Sequence, residues 1–305
     1  HNIFLRYICL REEKVINMEK SITVVGGDLR IVKLVEMLDN DGYKVYTYGL
    51  ENSEELLNRE RVEMCPTLEE AVAASKIVVG PVPLSSDRRR LSTPFGRNNV
   101  ELTEFIDSLK GKYLIAGNIG IKEELDSKGI QYTDLLKREE FSVLNTIATA
   151  EGTIQIAMEE TQRTIHGTKT LIMGFGRVGK VLANMLHGIG SEVSCEARKN
   201  EDIAWIKAYG YKPVHLNDLN ENLNKYDIII NTIPFQILDK ERLGMLKDDV
   251  VIIDLASNPG GVDRRAAREK GVKVIWALSL PGKVAPLTSA EFIKEALYHV
   301  LKELG

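Results

Sequence analysis

From residue 21 onward the chain repeats one pattern: a short apolar run, a turn rich in Gly or Pro, and a longer segment whose apolar positions fall three and four residues apart. Strands inside a parallel sheet read as continuous apolar runs, whereas the helices that cover such a sheet keep a single apolar stripe. The pattern predicts a strand at 22–25, the Gly26-Gly27 turn, and a helix with Ile31, Leu34, Val35 and Leu38 on one face. Further strands are predicted at 44–48, near Val62, at 76–79 and at 113–116, with helices at 53–58, 68–74, 101–109 and 122–128. Five strands alternating with helices predict a parallel, flavodoxin-like half.

Residues 146–166 carry helical spacing without a proline, with Ile147, Ile154, Ile156 and Met158 on apolar faces, and predict a helix bridging two domains. A second series follows, with strands at 170–173, 192–196, 213–216, 226–231, 250–255 and 273–277 and helices at 178–188, 202–209 and 263–270. Six strands in this succession predict a Rossmann domain. Near the end, Thr288-Ser289-Ala290-Glu291 matches a capping box, and Phe292, Ile293, Ala296, Leu297, Val300 and Leu301 form an apolar stripe. That helix is predicted to pack on the bridge or on the first domain.

The expected fold class is therefore α/β, with two doubly wound parallel-sheet domains, an N-terminal flavodoxin-like one and a C-terminal Rossmann NAD(P)-binding one, joined by a long helix. The expected boundaries are 18–145, the bridging helix 146–166, the Rossmann domain 167–286 and the terminal helix 287–305. The first 17 residues read as an upstream extension, with Met18 as the natural start. Their apolar patch is followed by Arg11-Glu12-Glu13-Lys14 rather than a small-residue cleavage site, which argues against a signal peptide.

Composition narrows the partners. A chain of 305 residues suits two domains, and no apolar run approaches the roughly 20 residues that span a bilayer. A net charge of -4 provides no broad positive field for nucleic acid, and Arg88-Arg89-Arg90 reads as a solvated loop. Neither nucleic acid nor membrane is expected as a partner. Cys9, Cys65 and Cys195 form no CxxC pair and suit a reducing cytoplasm, while the histidines show no metal-ligand spacing. No metal is expected, and a homo-oligomer stays open.

The chemistry centres on Gly174-Phe175-Gly176-Arg177-Val178-Gly179, which follows an apolar strand and opens an amphipathic helix. In that context Gly174 makes the tight turn, Gly176 lets backbone approach a pyrophosphate, and Gly179 lets helix pack on strand, with Arg177 and Val178 at the helix start. NAD enzymes carry an acidic residue at the end of the second strand to hold the ribose hydroxyls. Here strand alternation places Ala197 toward the ribose, with Arg198 and Lys199 behind it, which favours NADP. A shift of one residue would instead present Glu196 and favour NAD. Thr232 and Pro234, after the fourth strand, are expected on the cofactor edge, and Asp254 as either a turn cap or a chemical group.

Several strings resemble the family of dipicolinate synthase A subunits from endospore-forming bacteria, and the resemblance runs from about Met18 to the C-terminus. They are Gly26-Gly27-Asp28-Leu29-Arg30, Thr149-Ala150-Glu151-Gly152-Thr153-Ile154, Thr164-Ile165-His166-Gly167, the glycine loop, Ile230-Asn231-Thr232-Ile233-Pro234, Asp254-Leu255-Ala256-Ser257-Asn258-Pro259-Gly260-Gly261 and Leu280-Pro281-Gly282-Lys283-Val284-Ala285-Pro286. One departure is Ala148, where the family has proline. The resemblance implies oxidation of dihydrodipicolinate to dipicolinate during sporulation, in the mother-cell cytoplasm, with NADP as hydride acceptor and, as partner, a separate B subunit.

Such a reaction needs cationic groups for two carboxylates and a base for one proton. Arg30, Lys283 and Thr288 are the substrate-binding candidates and Glu151 the candidate base, in a cleft with the nicotinamide at its floor. The alternatives are a NADP-dependent hydroxy-acid, amino-acid or shikimate-type dehydrogenase, or a non-catalytic NADP-binding subunit.

Overall fold

The computed structural model describes residues 20–305, so the extension expected over 1–17 lies outside the described residues. The described residues divide into two compact units, one of residues 20–142 and 285–305 and the other of 143–284.

The first unit runs β1 (Ser21–Val25), α1 (Leu29–Asn40), β2 (Lys44–Tyr48), β3 (Val62–Met64), α2 (Leu68–Ala73), β4 (Ile77–Val79), α3 (Leu102–Ser108), β5 (Tyr113–Ala116), α4 (Lys122–Ser127) and β6 (Gln131–Asp134). All its strands pair in parallel in the order β3-β2-β1-β4-β5-β6. This is the doubly wound 3-2-1-4-5-6 order of a Rossmann sheet, which reduces to the flavodoxin-like order only when the three-residue edge strand β3 is left out. The sheet thus has one strand more than expected. β6 escaped the apolar criterion because Gln131-Tyr132-Thr133-Asp134 is a polar edge strand, only its last residue buried. The helix expected at 53–58 is a single 3-10 turn, Glu54–Leu56.

α5 (Glu139–Glu160) carries the chain into the second unit. It starts at Glu139 rather than at residue 146 and ends before Thr161 rather than at 166, because Ile165 to Thr168 form a turn in which Thr168 N and Oγ1 both donate to Ile165 O, the latter at 2.6 Å. The second unit continues with β7 (Lys169–Met173), α6 (Arg177–Gly188), β8 (Glu192–Ala197), α7 (Asn200–Ala208), β9 (Lys212–His215), β10 (Ile228–Asn231), α8 (Lys240–Leu243), β11 (Val251–Asp254), α9 (Arg264–Lys270), β12 (Lys273–Trp276) and α10 (Leu280–Val284). Its parallel sheet has the order β12-β11-β10-β7-β8-β9, the same winding as the first.

α11 (Pro286–Leu304) belongs to the first unit. Its Ile293, Ala296, Leu297 and Val300 share a core with Ile31, Leu34, Val35 and Leu38 of α1. Fully burying each such aliphatic side chain contributes roughly 1.5–3 kcal/mol, so the seam holds the terminal helix firmly. The capping box expected at Thr288 is absent: the N-cap position is Ala285, Pro286 opens the helix, and Thr288 lies exposed inside its first turn. Proline at the first helical position has its φ preset for the helix and lacks only an N–H that would have no partner there.

Candidate functional site

β7 is buried from Thr170 onward and delivers the glycine loop at the carboxyl edge of its sheet. Gly174 adopts φ +91°, and a Cβ there would lie 2.6 Å from Thr232 Oγ1. Thr232 in turn donates from Oγ1 to Met173 O at 2.9 Å, so the Thr232 side chain braces the loop. A Cβ on Gly179 would lie 2.1 Å from Gly174 O, which is how closely α6 packs against the turn. Gly176 behaves differently, because nothing stands within 4 Å of its Cβ position. It occupies the N-cap of α6 with no side-chain cap, leaving the first-turn N–H groups of a 12-residue helix for an anion. This open cradle over an uncapped helix end fits a dinucleotide pyrophosphate. Arg177 is exposed and Val178 half-buried at the same helix start.

A cavity of about 420 Å³ adjoins the loop, lined by residues that include Gly174, Glu196, Ala197, Arg198, Lys199 and Arg242. Ala197 ends β8 and is buried, while Arg198 and Lys199 are exposed beyond it. His215 Nδ1 accepts from Asn217 N at 3.2 Å, so Nε2 carries the proton it shares with Arg198 O at 3.1 Å, and the imidazole holds the main chain of the cationic segment. Lys199 is engaged with Glu201 at 3.2 Å. Glu196 is 1% exposed and its carboxylate accepts from Gly174 N at 3.2 Å. Burial pushes the Glu196 carboxyl above the usual carboxylate range, against the opposing pull of the Gly174 N–H. Thr232 is half-buried and Pro234 exposed, followed by Phe235, which is 71% exposed at the cavity.

Asp254 is a turn organiser. It is fully buried, and its carboxylate accepts from Asn231 Nδ2 at 2.8 Å, Gly261 N at 2.9 Å and Ala256 N at 3.1 Å. Asn231 Nδ2 also donates to Ile233 O at 3.0 Å, so the loops after β10 and β11 are tied together below the surface.

The first unit has the same winding and its own Gly26-Gly27 turn, yet its phosphate position is taken by the chain. Gly27 N donates to Ser92 O at 2.8 Å, and a Cβ on Gly26 would meet Ser92 O at 2.7 Å. Asp28 caps α1, adding negative charge where a phosphate would need the reverse. Arg30, expected to bind substrate, is 4% exposed; Nε and Nη2 bind the Asp28 carboxylate, and Nη2 also donates to Val82 O. In this arrangement the guanidinium ties the turns after β1 and β4 together, with the Asp28 carboxylate half-buried beside it.

Lys283 and Glu151 are brought onto neighbouring helices. α10 packs against α5 at Gly152, where a Cβ would lie 2.6 Å from Val284 Cγ2 and 3.2 Å from Leu280 Cβ. Glu151 and Lys283 adjoin this contact in sequence and both are exposed. Sequence reasoning weighed Glu196 only as a ribose-facing alternative, not as a partner of Gly174, and it missed Phe235, just after Pro234, and Arg242 of α8, both of which line the cavity.

A parallel six-stranded sheet with a glycine loop, an uncapped helix end and a cavity beside the second strand defines the class of dinucleotide-binding dehydrogenase domains, here paired with a second α/β unit. Residues 141–266 match the NAD-binding domain of D-isomer specific 2-hydroxyacid dehydrogenases, and residues 21–136 match the N-terminal domain of the dipicolinate synthase A subunit. The chain is 30% identical to the A subunit of dipicolinate synthase of Bacillus subtilis (strain 168) over 288 residues, covering 93% of this chain and 96% of that protein. The crystal structure of the same A subunit from Bacillus subtilis superposes with a TM-score of 0.85 at 29% identity, over 95% of this chain and 98% of that one. That of the Bacillus halodurans A subunit gives 0.82 at 26%, over 92% and 97%. The chain belongs to the family of dipicolinate synthase A subunits.

Proposed function

We propose that this chain oxidises dihydrodipicolinate to dipicolinate with NADP+, acting with a B subunit in the cytoplasm of sporulating cells. Membership of the family supports the substrate and the partner, and the observation that carries the cofactor is the end of β8. Ala197 offers no carboxylate to a ribose diol, Arg198 stands exposed beside it, and the one carboxylate within the strand end, Glu196, is buried under Gly174.

Aromatising the ring removes a hydride from one carbon and a proton from another, and the oxidised nicotinamide, when bound, accepts the hydride. The protein must then hold two carboxylates and receive the proton. Lys283 is the proposed carboxylate anchor in the second unit and Glu151 the proposed base, both exposed beside the Gly152–Val284 contact. Thr288, exposed in the first turn of α11, is a further hydrogen-bonding candidate of the first unit.

The test mixes purified chain, B subunit, dihydrodipicolinate and NADP+ and follows absorbance of the reduced cofactor. Reduction is expected. Its absence in every combination overturns the synthase assignment, and turnover without the B subunit removes the reading of this chain as a non-catalytic NADP-binding subunit. Replacing Arg198 by Ala should weaken NADP+ binding by about tenfold or more, the loss of one charge-assisted contact, while leaving NAD+ little changed. Equal loss for both cofactors refutes the 2′-phosphate role.

A further inference from the structure

Arg242 lies 44 residues beyond Arg198 and belongs to no motif, yet both line one cavity. The sheet order explains how. β8 and β10 flank β7 on opposite sides, so the segment after β8 brings Arg198 and the segment after β10 brings Arg242 to the same edge around the glycine loop. We propose that Arg242 is the second guanidinium of a two-sided clamp for the 2′-phosphate of NADP+, closing on it from the wall opposite Arg198. The proposal rests on the NADP reading above.

Three observations support the clamp. Arg242 is pre-oriented: Nε donates to Asn220 Oδ1 at 2.9 Å, Nη1 to Ile237 O at 2.9 Å, and its backbone N to the Asp239 cap at 2.9 Å. Ile237 and Leu238 are themselves held by Gly261 O through backbone N–H bonds of 3.0 Å, so the guanidinium stands on a fixed loop. Among the described residues no acceptor takes Nη2, nor the side chain of Arg198. A guanidinium with two donors anchored and one amino group open loses little freedom on binding, which is what lets a surface cation contribute measurable affinity.

The rest of the cavity suits an adenosine. Leu216, Ile233 and Ile237 make an apolar wall, and Phe235 at its rim is, among the described residues, the most exposed of the large apolar side chains. Two carboxylates also belong to the lining. Glu196 is turned beneath Gly174, and Asp202 sits in the first turn of α7, where it complements the helix dipole. Lys199 is paired with Glu201 at 3.2 Å, so Arg198 and the Nη2 group of Arg242 are the donors the cavity offers a phosphate.

The experiment measures Kd for NADP+ and NAD+ by calorimetry on the wild-type chain and on Arg198→Ala, Arg242→Ala and Arg242→Gln, the last keeping a hydrogen-bonding side chain without the charge. Both Arg242 variants are expected to raise the NADP+ Kd about tenfold or more while NAD+ stays within about twofold. Arg198→Ala losing the preference while both Arg242 variants retain it overturns the clamp and leaves the NADP reading standing. Equal weakening of both cofactors by Arg242→Ala and Arg242→Gln also overturns it, because that is the signature of a loop brace or an adenine contact. A wild-type chain that prefers NAD+ overturns the NADP reading and the clamp together.

Discussion

The buried Glu196 carboxylate accepts a hydrogen bond from the backbone N–H of Gly174 at 3.2 Å, and the Glu196 carbonyl accepts from the same N–H at 3.2 Å. One amide thus joins the end of β8 to the first residue of the glycine loop. The acidic side chain at this strand end is thus bonded to the loop, and it lines the adjoining cavity together with Ala197, Arg198 and Lys199.

Replacing Glu196 by Gln keeps an oxygen for Gly174 and removes the buried charge. Burial raises the Glu196 pKa in the folded chain, so folding binds this proton more tightly than the unfolded state does. Its stabilising contribution is therefore present below the ordinary glutamate range and is lost as pH rises through the folded value. The variant is expected to melt a few degrees higher near pH 8, about 2–4 °C per kcal/mol for a domain of this size, and to flatten the pH dependence. Thermal unfolding followed from acid to mildly alkaline pH checks this, and an unaltered profile would count against a buried, proton-hungry Glu196.

Gly179 and Gly176 should part company on alanine substitution. The Gly179→Ala methyl meets backbone Gly174 O at 2.1 Å, so the loop must shift, at about 1–3 kcal/mol of stability and with loss of dinucleotide binding. The Gly176→Ala methyl enters open space, so its melting temperature should match wild type while dinucleotide affinity falls. Melting curves beside cofactor titrations decide it, and a Gly176→Ala chain that binds normally would show that the pyrophosphate lies elsewhere.

Tyr298 Oη donates to Asp41 Oδ2 at 2.5 Å and Lys294 Nζ to the same oxygen at 2.9 Å, tying α11 to the end of α1. Burial alone would push the Asp41 carboxyl up, but these two donors outweigh it and hold it below its usual range. The resulting stability is present above the ordinary aspartate pKa and is lost as pH falls through the depressed folded value. Tyr298→Phe should cost roughly 0.5–1 kcal/mol near neutrality, discounted for the partial exposure of Asp41, and less in acid. Urea unfolding at the two pH values measures the difference, and an equal cost at both would place the effect in packing.

The alternating pattern of the chain was enough to predict two parallel sheets, because strands such as Ile228–Asn231 and Val251–Asp254 are buried on both faces and must be apolar throughout. It was not enough for β6, whose polar edge residues carry no such signal, nor for the first turns of α5, which the pattern started at 146 although Phe141 already contributes to the first core. The helix end at Thr288 was misplaced for a related reason: a capping box is a local signal, and Pro286 together with the packing of α11 on α1 moved the start upstream.

The glycine loop, its strand and its helix are written in consecutive residues, so the sequence by itself determined a dinucleotide-binding domain and the glycine turn that opens its first helix. Local rules sufficed there because each glycine answers to neighbours a few positions away, as Gly179 does to Gly174. Only the tertiary structure decided which charged groups are available: it buried Arg30 on Asp28 and Glu196 under Gly174, and it carried Arg242 to the cavity of Arg198. Burial and pairing between residues tens of positions apart depend on strand order, and strand order is settled by how the sheet packs, not by any stretch of chain that can be read alone.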